Sequence, residues 1–199
     1  MKKITIVDYG SGNVLSAQKS FIKIVKDNNI PANVLISKKL NDVKNSTHIV
    51  LPGQGAFSTC MNGLKKTEGL IDELCEFALI KKKPFLGICV GMQMLAQMSE
   101  ESGVHEGLGW IDGQIKLLPS QNLKLPHMGW NLATPINSKY NNLISTKDDY
   151  YFVHSYYFDC EDRDNILAET NYGISFASII AKENIYGVQF HPEKSSSQG

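Results

Sequence analysis

The chain has 199 residues, with 20 Lys and Arg against 20 Asp and Glu and a formal net charge of zero. That length suits one large domain with a substantial core, and the balanced charge argues against nucleic-acid binding as its main work. No stretch is apolar for long enough to span a membrane, and Asp8 and Gly10 interrupt the first apolar run too early for a signal peptide.

In chain order, apolar runs predict strands over 4–7, 34–36, 48–51 and 85–88, separated by helical periods around 14–26 and 61–82. Such alternation predicts an α/β fold, a mostly parallel central sheet flanked by helices, with reactive groups at the C-terminal strand ends. After about residue 107 the pattern changes to short β-like pieces at 110–118, 127–133, 150–158 and 174–190, which read as antiparallel additions to the sheet rather than a second domain. The polar stretch 137–149 reads as a surface loop, and neither a repeat nor a linker is evident. The whole of 1–199 therefore reads as a single domain.

Three motifs carry chemistry. The pentapeptide Gly87-Ile88-Cys89-Val90-Gly91 joins the end of a predicted strand to a helix-like segment, the sequence form of a nucleophile elbow carrying sulfur. At a helix N-terminus, unpaired N–H groups and the helix dipole favour the thiolate of Cys89, although a small residue between glycines also makes an ordinary structural turn. Near the end, the apolar run 185–190 leads into His191-Pro192-Glu193. Residues i and i+2 of an extended chain share a face, so His191 and Glu193 project together, and Pro192 marks a strand end or edge. A thiol needs a base and the base needs an orienting carboxylate; a loop histidine beside a solvated glutamate is the plainer alternative. Third, Gly53-Gln54-Gly55 follows the strand at 48–51. Glycines there let the backbone aim the Gln54 N–H at an oxyanion, with the Val90 N–H as second donor, or simply form a turn. Cys60, Cys75 and Cys160 make no close pairs with each other or with Cys89. Neither a disulfide framework nor a zinc site is indicated, which favours a reducing cytosol.

Together, GICVGMQ, FHPEKSS and the PGQG loop resemble the class I (triad) glutamine amidotransferases. More narrowly, IVDYGSGNVLSAQKSF, LPGQGAF, GLGWIDG, LPHMGWN, YFVHSYY and GVQFHPEKSS are similar to the glutaminase subunits of imidazole glycerol phosphate synthases, across nearly the whole chain. The resemblance implies hydrolysis of L-glutamine through a thioester on Cys89, with His191 as base and then acid and Glu193 as its orienter. It also implies no metal or other cofactor, and delivery of ammonia to a separate (β/α)-barrel cyclase subunit of histidine biosynthesis. By position, Gly53, Gly55, Gln93, Glu101, His154, Ser155 and Tyr156 would hold the glutamine. Asn13, Trp130, Tyr151 and Lys194 would face the cyclase, the plainer alternative being a core tryptophan and a solvated lysine.

Two departures stand out. Gln54 occupies a place where the family most often has valine, which touches side-chain packing more than a backbone donor. Family members continue past HPEKSS into a C-terminal helix, whereas this sequence stops at Gly199, so the resemblance implies a domain short of that helix. The rival readings are a paralogous glutaminase serving a surface-sugar amidotransferase or pyridoxal phosphate synthase, a cysteine-bearing α/β hydrolase, and a non-catalytic assembly subunit.

Overall fold

In the computed structural model, which describes residues 1–119, 123–136 and 148–199, the first half of the chain builds an open parallel sheet. Strand β1 (Lys2–Val7) is followed by helix α1 (Val14–Asp27), β2 (Ala32–Ser37), the short α2 (Leu40–Lys44) and β3 (His48–Gly53). Helices α3 (Phe57–Lys65) and α4 (Leu70–Cys75) then lead to β4 (Phe85–Cys89) and the single-turn α5 (Val90–Gln93). Apolar β1 and β3 are covered on both faces, as expected of parallel strands clad by helices. Helix α1 lays Val14, Ala17, Phe21 and Val25 against the core, a stripe at helical spacing.

The second half is β-rich. It comprises β5 (Met98–Ser99), β6 (His105–Glu106), β7 (Gly113–Leu117), β8 (His127–Leu132), β9 (Thr134–Pro135), β10 (Asp149–His154) and β11 (Tyr156–Cys160). It ends with β12 (Ile166–Tyr172), β13 (Ile174–Lys182) and β14 (Ile185–Val188). The main sheet has the order β2-β1-β3-β4-β14-β13-β12-β9. Pairing is parallel from β2 to β14 and antiparallel beyond it.

Two expectations are refined. The helical period at 61–82 is three pieces: α3 starts earlier, Gly69 breaks the run with φ 74°, and α4 passes into a π-helical turn at Glu76–Ile80. Positive φ is open to glycine but not to a continuing helix. Of the late β pieces, only 174–190 joins the main sheet. β8 and β10 pair as a two-stranded sheet, while β11, β7, β5 and β6 form another. The strand β12 has no counterpart among the predicted pieces. Residues 137–147 of the expected surface loop lie outside the described residues.

The architecture converges at one edge. Cys89 ends β4, Gly53 ends β3 opposite it in register, and His191 follows β14, which is itself parallel to β4. Three C-terminal strand ends therefore meet where open α/β sheets place their ligands. Backbone contact is close enough there to require glycine. A Cβ on Gly91 would collide with the carbonyl oxygen of Leu51, and one on Gly53 would stand 2.5 Å from the Gly91 nitrogen.

Gly91→Ala should accordingly destabilise the fold by about 1–3 kcal/mol, because the obstacle is backbone and not a side chain that can rotate away. Urea unfolding reads this as a lowered midpoint; a parent-like midpoint would show that β3 and the elbow can separate at no cost.

Candidate active site

Cys89 is the last residue of β4 and the N-cap of α5, with φ 54° and ψ −112°. A non-glycine residue in this region is strained, and the strain turns the side chain out of the sheet as a nucleophile elbow does. Only one helical turn follows, yet the unpaired N–H groups that favour an anion belong to the first turn. The residue is 4 % exposed and lines a cavity of about 350 Å³. Its neighbours there include Gln54, Gly55, Val90, Gln93, Glu101 and His191, and the size falls within the ~300–1,000 Å³ usual for small-molecule sites.

His191 and Glu193 stand as their shared face predicts. The His191 Nδ1–H donates to Glu193 Oε1 at 2.9 Å, both side chains being almost fully buried. Among the described residues the other carboxylate oxygen, Oε2, has no hydrogen-bond partner, so the charge of Glu193 is directed at the imidazole alone. Burial by itself would lower the His191 pKa. Hydrogen bonds to the Cys89 sulfur and to Glu193, with attraction to their charges, outweigh it and raise the value to about 9. The arrangement thus favours the protonated imidazolium at His191.

The main chain of His191 is fastened as firmly as its ring. Its N–H donates to the Tyr151 carbonyl at 2.9 Å, and the buried Ser195 hydroxyl donates to the His191 carbonyl at 2.6 Å while accepting the Tyr151 N–H at 3.0 Å. On the opposite wall, the Gln54 carbonyl accepts from Ser11 Oγ at 2.7 Å and more weakly from Cys60 Sγ at 3.5 Å. Tyr9, kept neutral by a pKa that burial pushes well above the usual phenol range, donates to the Pro52 carbonyl at 2.6 Å. The DYGSGN segment therefore braces the PGQG loop.

The match to the family model for glutamine amidotransferase class-I extends over residues 5–199. Imidazole glycerol phosphate synthase subunit HisH of Pelagibacter ubique is 44 % identical, with 98 % of this chain and 94 % of that protein covered. Those of Rhodospirillum rubrum and, as HisH 2, Methanococcus maripaludis are 41 % and 43 % identical, with 99 % and 98 % of this chain and 94 % of each relative covered. The chain belongs to the class I glutamine amidotransferases, among the HisH subunits. Solved structures agree in fold. A glutamine amidotransferase crystal structure superposes with TM-score 0.71 at 15 % identity, covering 96 % of this chain and 90 % of the other. A glutamine amidotransferase from Thermotoga maritima gives 0.65 at 19 %, covering 96 % and 76 %.

Most of the predicted pocket residues of this amidotransferase lie around the cavity. Gly53 does not line it but sits behind Val90 and Gly91. Glu101 Oε2 accepts the Phe57 N–H at 2.7 Å, anchoring the start of α3, while its carboxylate also faces the cavity and offers negative charge to a ligand ammonium. Gln93 commits both amide hydrogens, to the Tyr156 carbonyl at 2.9 Å and to Gln189 Oε1 at 3.0 Å. Gln189 is a functional residue that sequence reasoning missed. Fully buried, its Nε2–H donates to Cys89 Sγ at 3.8 Å, so it joins the sulfur to the substrate wall. The available signal was an amide inside an apolar strand, two residues before His191 and hence on its face.

The candidate docking residues divide. Trp130 is 53 % exposed, which excludes the core alternative, and its ring meets Tyr151 edge-on at 6.0 Å. Lys194 Nζ lies 5.8 Å from the Tyr151 ring, so these three form one outward row. Asn13 is at the start of α1, its carbonyl taking the Ala17 N–H. Among the described residues no group of three or more His, Cys, Asp and Glu side chains is placed to hold a metal, and no helix is long and apolar enough to cross a membrane.

The raised His191 pKa has a defined sign. Its stabilisation is complete below the ordinary value of 6.5 and is lost as pH rises through about 9. Stability measured by urea unfolding should therefore fall across that window, on the order of 2 kcal/mol, and Glu193→Gln should flatten the fall. Parallel pH profiles for the two proteins would refute the ion-pair assignment.

Proposed function

We propose that this chain is the glutaminase subunit of an imidazole glycerol phosphate synthase. It hydrolyses L-glutamine and passes the ammonia to a separate (β/α)-barrel cyclase. That cyclase forms imidazole glycerol phosphate and an aminoimidazole carboxamide ribonucleotide in histidine biosynthesis. The observation that carries the reading is the buried row of Cys89, His191 and Glu193, the first two of which line the cavity. The chain's membership among HisH subunits supports the cyclase as acceptor.

The Cys89 thiolate attacks the side-chain amide carbon of glutamine, forming a C–S bond while the carbonyl electrons move onto oxygen. The backbone N–H groups of Gln54 and Val90 receive that oxyanion. His191 gives its proton to the amide nitrogen, the C–N bond breaks, and ammonia leaves a glutamyl thioester. Neutral His191 then takes a proton from water as the water oxygen attacks the thioester carbon. Collapse of the second tetrahedral adduct releases glutamate and restores the thiolate and imidazolium. Glu193 keeps the Nδ1–H in place throughout, leaving Nε2 for the proton traffic. Gln189 supports the sulfur when it is anionic, and Glu101 receives the substrate's ammonium. The steps use side chains, backbone N–H groups and water, without a cofactor. All four cysteines are free, which favours a cytoplasmic setting.

Cys89→Ala should abolish glutaminase activity without loss of fold, and a glutamine-analogue electrophile should label Cys89 while sparing Cys60, Cys75 and Cys160. His191→Ala should lower turnover by orders of magnitude more than Glu193→Gln, which keeps the base but orients it poorly. Equal and complete losses in two folded variants would contradict that division of roles.

Docking of the cyclase is assigned to the Trp130, Tyr151 and Lys194 row, where an exposed aromatic anchor stands beside a cation. Trp130→Ala and Lys194→Ala should weaken co-purification with the cyclase, the tryptophan change by about tenfold or more in affinity, and leave Cys89 reactive toward the analogue. Parent-like binding and product formation in both variants would move the docking face elsewhere.

A further inference from the structure

Two buried histidines, His154 in the cavity wall and His127 behind it, are not used by the chemistry at Cys89. His127 on β8 and His154 on β10 are partners in the strand register. The His127 ring is sandwiched between Tyr172, at 4.2 Å, and Phe152, at 5.0 Å, and the His154 ring meets Phe176 edge-on at 5.0 Å. His127 Nδ1 is 3.0 Å from His154 Nε2, a distance at which one nitrogen must carry the proton and the other a lone pair.

The two ends of the chain of hydrogen bonds decide which. Asn131 Nδ2 donates to the Asn171 carbonyl at 3.0 Å and turns its second hydrogen toward His127 Nε2 at 3.2 Å, while its Oδ1 accepts the Leu132 N–H at 2.9 Å. His127 Nε2 is therefore an acceptor, and the proton of that ring is on Nδ1. It is donated to His154 Nε2, which leaves His154 its own proton on Nδ1. That proton goes to the Tyr156 carbonyl at 2.9 Å. Starting from Tyr156 gives the same assignment, because a carbonyl can only accept. Each ring nitrogen is used once and both rings are neutral. A further proton would set N–H against N–H, and burial already lowers His127 to about 4 and His154 to about 3.

The Tyr156 carbonyl is the same atom that accepts from Gln93. His154, Ser155, Tyr156 and Gln93 all line the cavity, and Ser155 is the bend at which the chain passes from β10 to β11. The His154 imidazole closes that bend from within. We propose that His127 and His154, each fixed as the neutral Nδ1–H tautomer, are a positioning pair that holds the Ser155–Tyr156 wall in the shape that receives glutamine. The pair thereby sets substrate affinity more than the rate of the chemical steps. The proposal rests on the glutaminase reading above.

The test uses the full chain with its cyclase partner and two variants. His127→Phe keeps the ring stacking and removes the hydrogen bonds; Asn131→Ala removes only the outer donor. His127→Phe should raise KM for glutamine about tenfold, with a smaller change in kcat, and Asn131→Ala should raise it about threefold. Imidazole spectra of nitrogen-labelled histidine should show both rings as Nδ1–H tautomers in the parent at neutral pH, and His154, still held by the Tyr156 carbonyl, as the Nδ1–H tautomer in either variant. The proposal is overturned if His127→Phe lowers kcat at parent KM, or if the spectra show an imidazolium or an Nε2–H tautomer at either position. Should His127→Phe fail to fold, Asn131→Ala decides, and a parent-like KM overturns it. A parent chain that does not hydrolyse glutamine at all would instead refute the glutaminase reading, while the spectra still judge the tautomers.

Discussion

The register of three parallel strands is the constraint from which the reactive geometry follows. Gly53 opposes Cys89 across β3 and β4, and Val188 opposes Ile88 across β14 and β4. Sheet hydrogen bonds therefore bring the loop after β3, Cys89 and the segment leading to His191 to one edge before any side chain contributes. A slip of one residue in β14 would turn that strand's own side chains to the opposite face and displace the 189–191 segment that follows it. Backbone pairing supplies position, and the glycines at 53 and 91 permit the approach that pairing demands.

Within that frame, neighbouring imidazoles hold different protonation states because their partners differ. His191 touches a thiol and a carboxylate, both capable of negative charge, and its pKa rises although it is buried. His127 and His154 are buried among aromatic rings and neutral amides, and theirs fall; the charge on His191 adds to the fall at His154. Burial strengthens whichever electrostatic partner is present, so one site contains both a proton carrier and two rings that cannot carry one.

The parallel half of the fold was legible in the sequence because strands buried on both faces read as uninterrupted apolar runs, and 4–7, 48–51 and 85–88 lie within β1, β3 and β4. The small sheets were harder. Short pieces such as 127–133 and 150–158 announce strands but not their partners, and nothing local says that β10 pairs with β8 while β11, past one bend, pairs with β7. At the site, Cys89, His191 and Glu193 were visible because their chemistry needs recognisable neighbours: flanking glycines in one case, a shared strand face in the other. Glu101, Gln93 and the docking row came from resemblance alone. His154 also came from resemblance, whereas Gln189, Ser195 and the link from His154 to His127 escaped because each acts through hydrogen bonds to residues distant in sequence, which no local pattern records.

The two faces of β8 place the proposed docking row and the cavity wall on one strand. Its outward positions Met128, Trp130 and Leu132 are exposed, while His127 is turned inward. Asn131, whose amide orients the His127 tautomer, stands between Trp130 and Leu132. β10 repeats the pattern: Tyr151 meets Trp130 outside, and through its backbone holds His191 and Ser195 inside. A protein pressing on the outer row cannot displace either strand without loading the hydrogen bonds that shape the pocket wall and hold the base. In the proposed function, partner contact and glutamine geometry share the same two short strands, which gives coupling between them a physical route through β8 and β10.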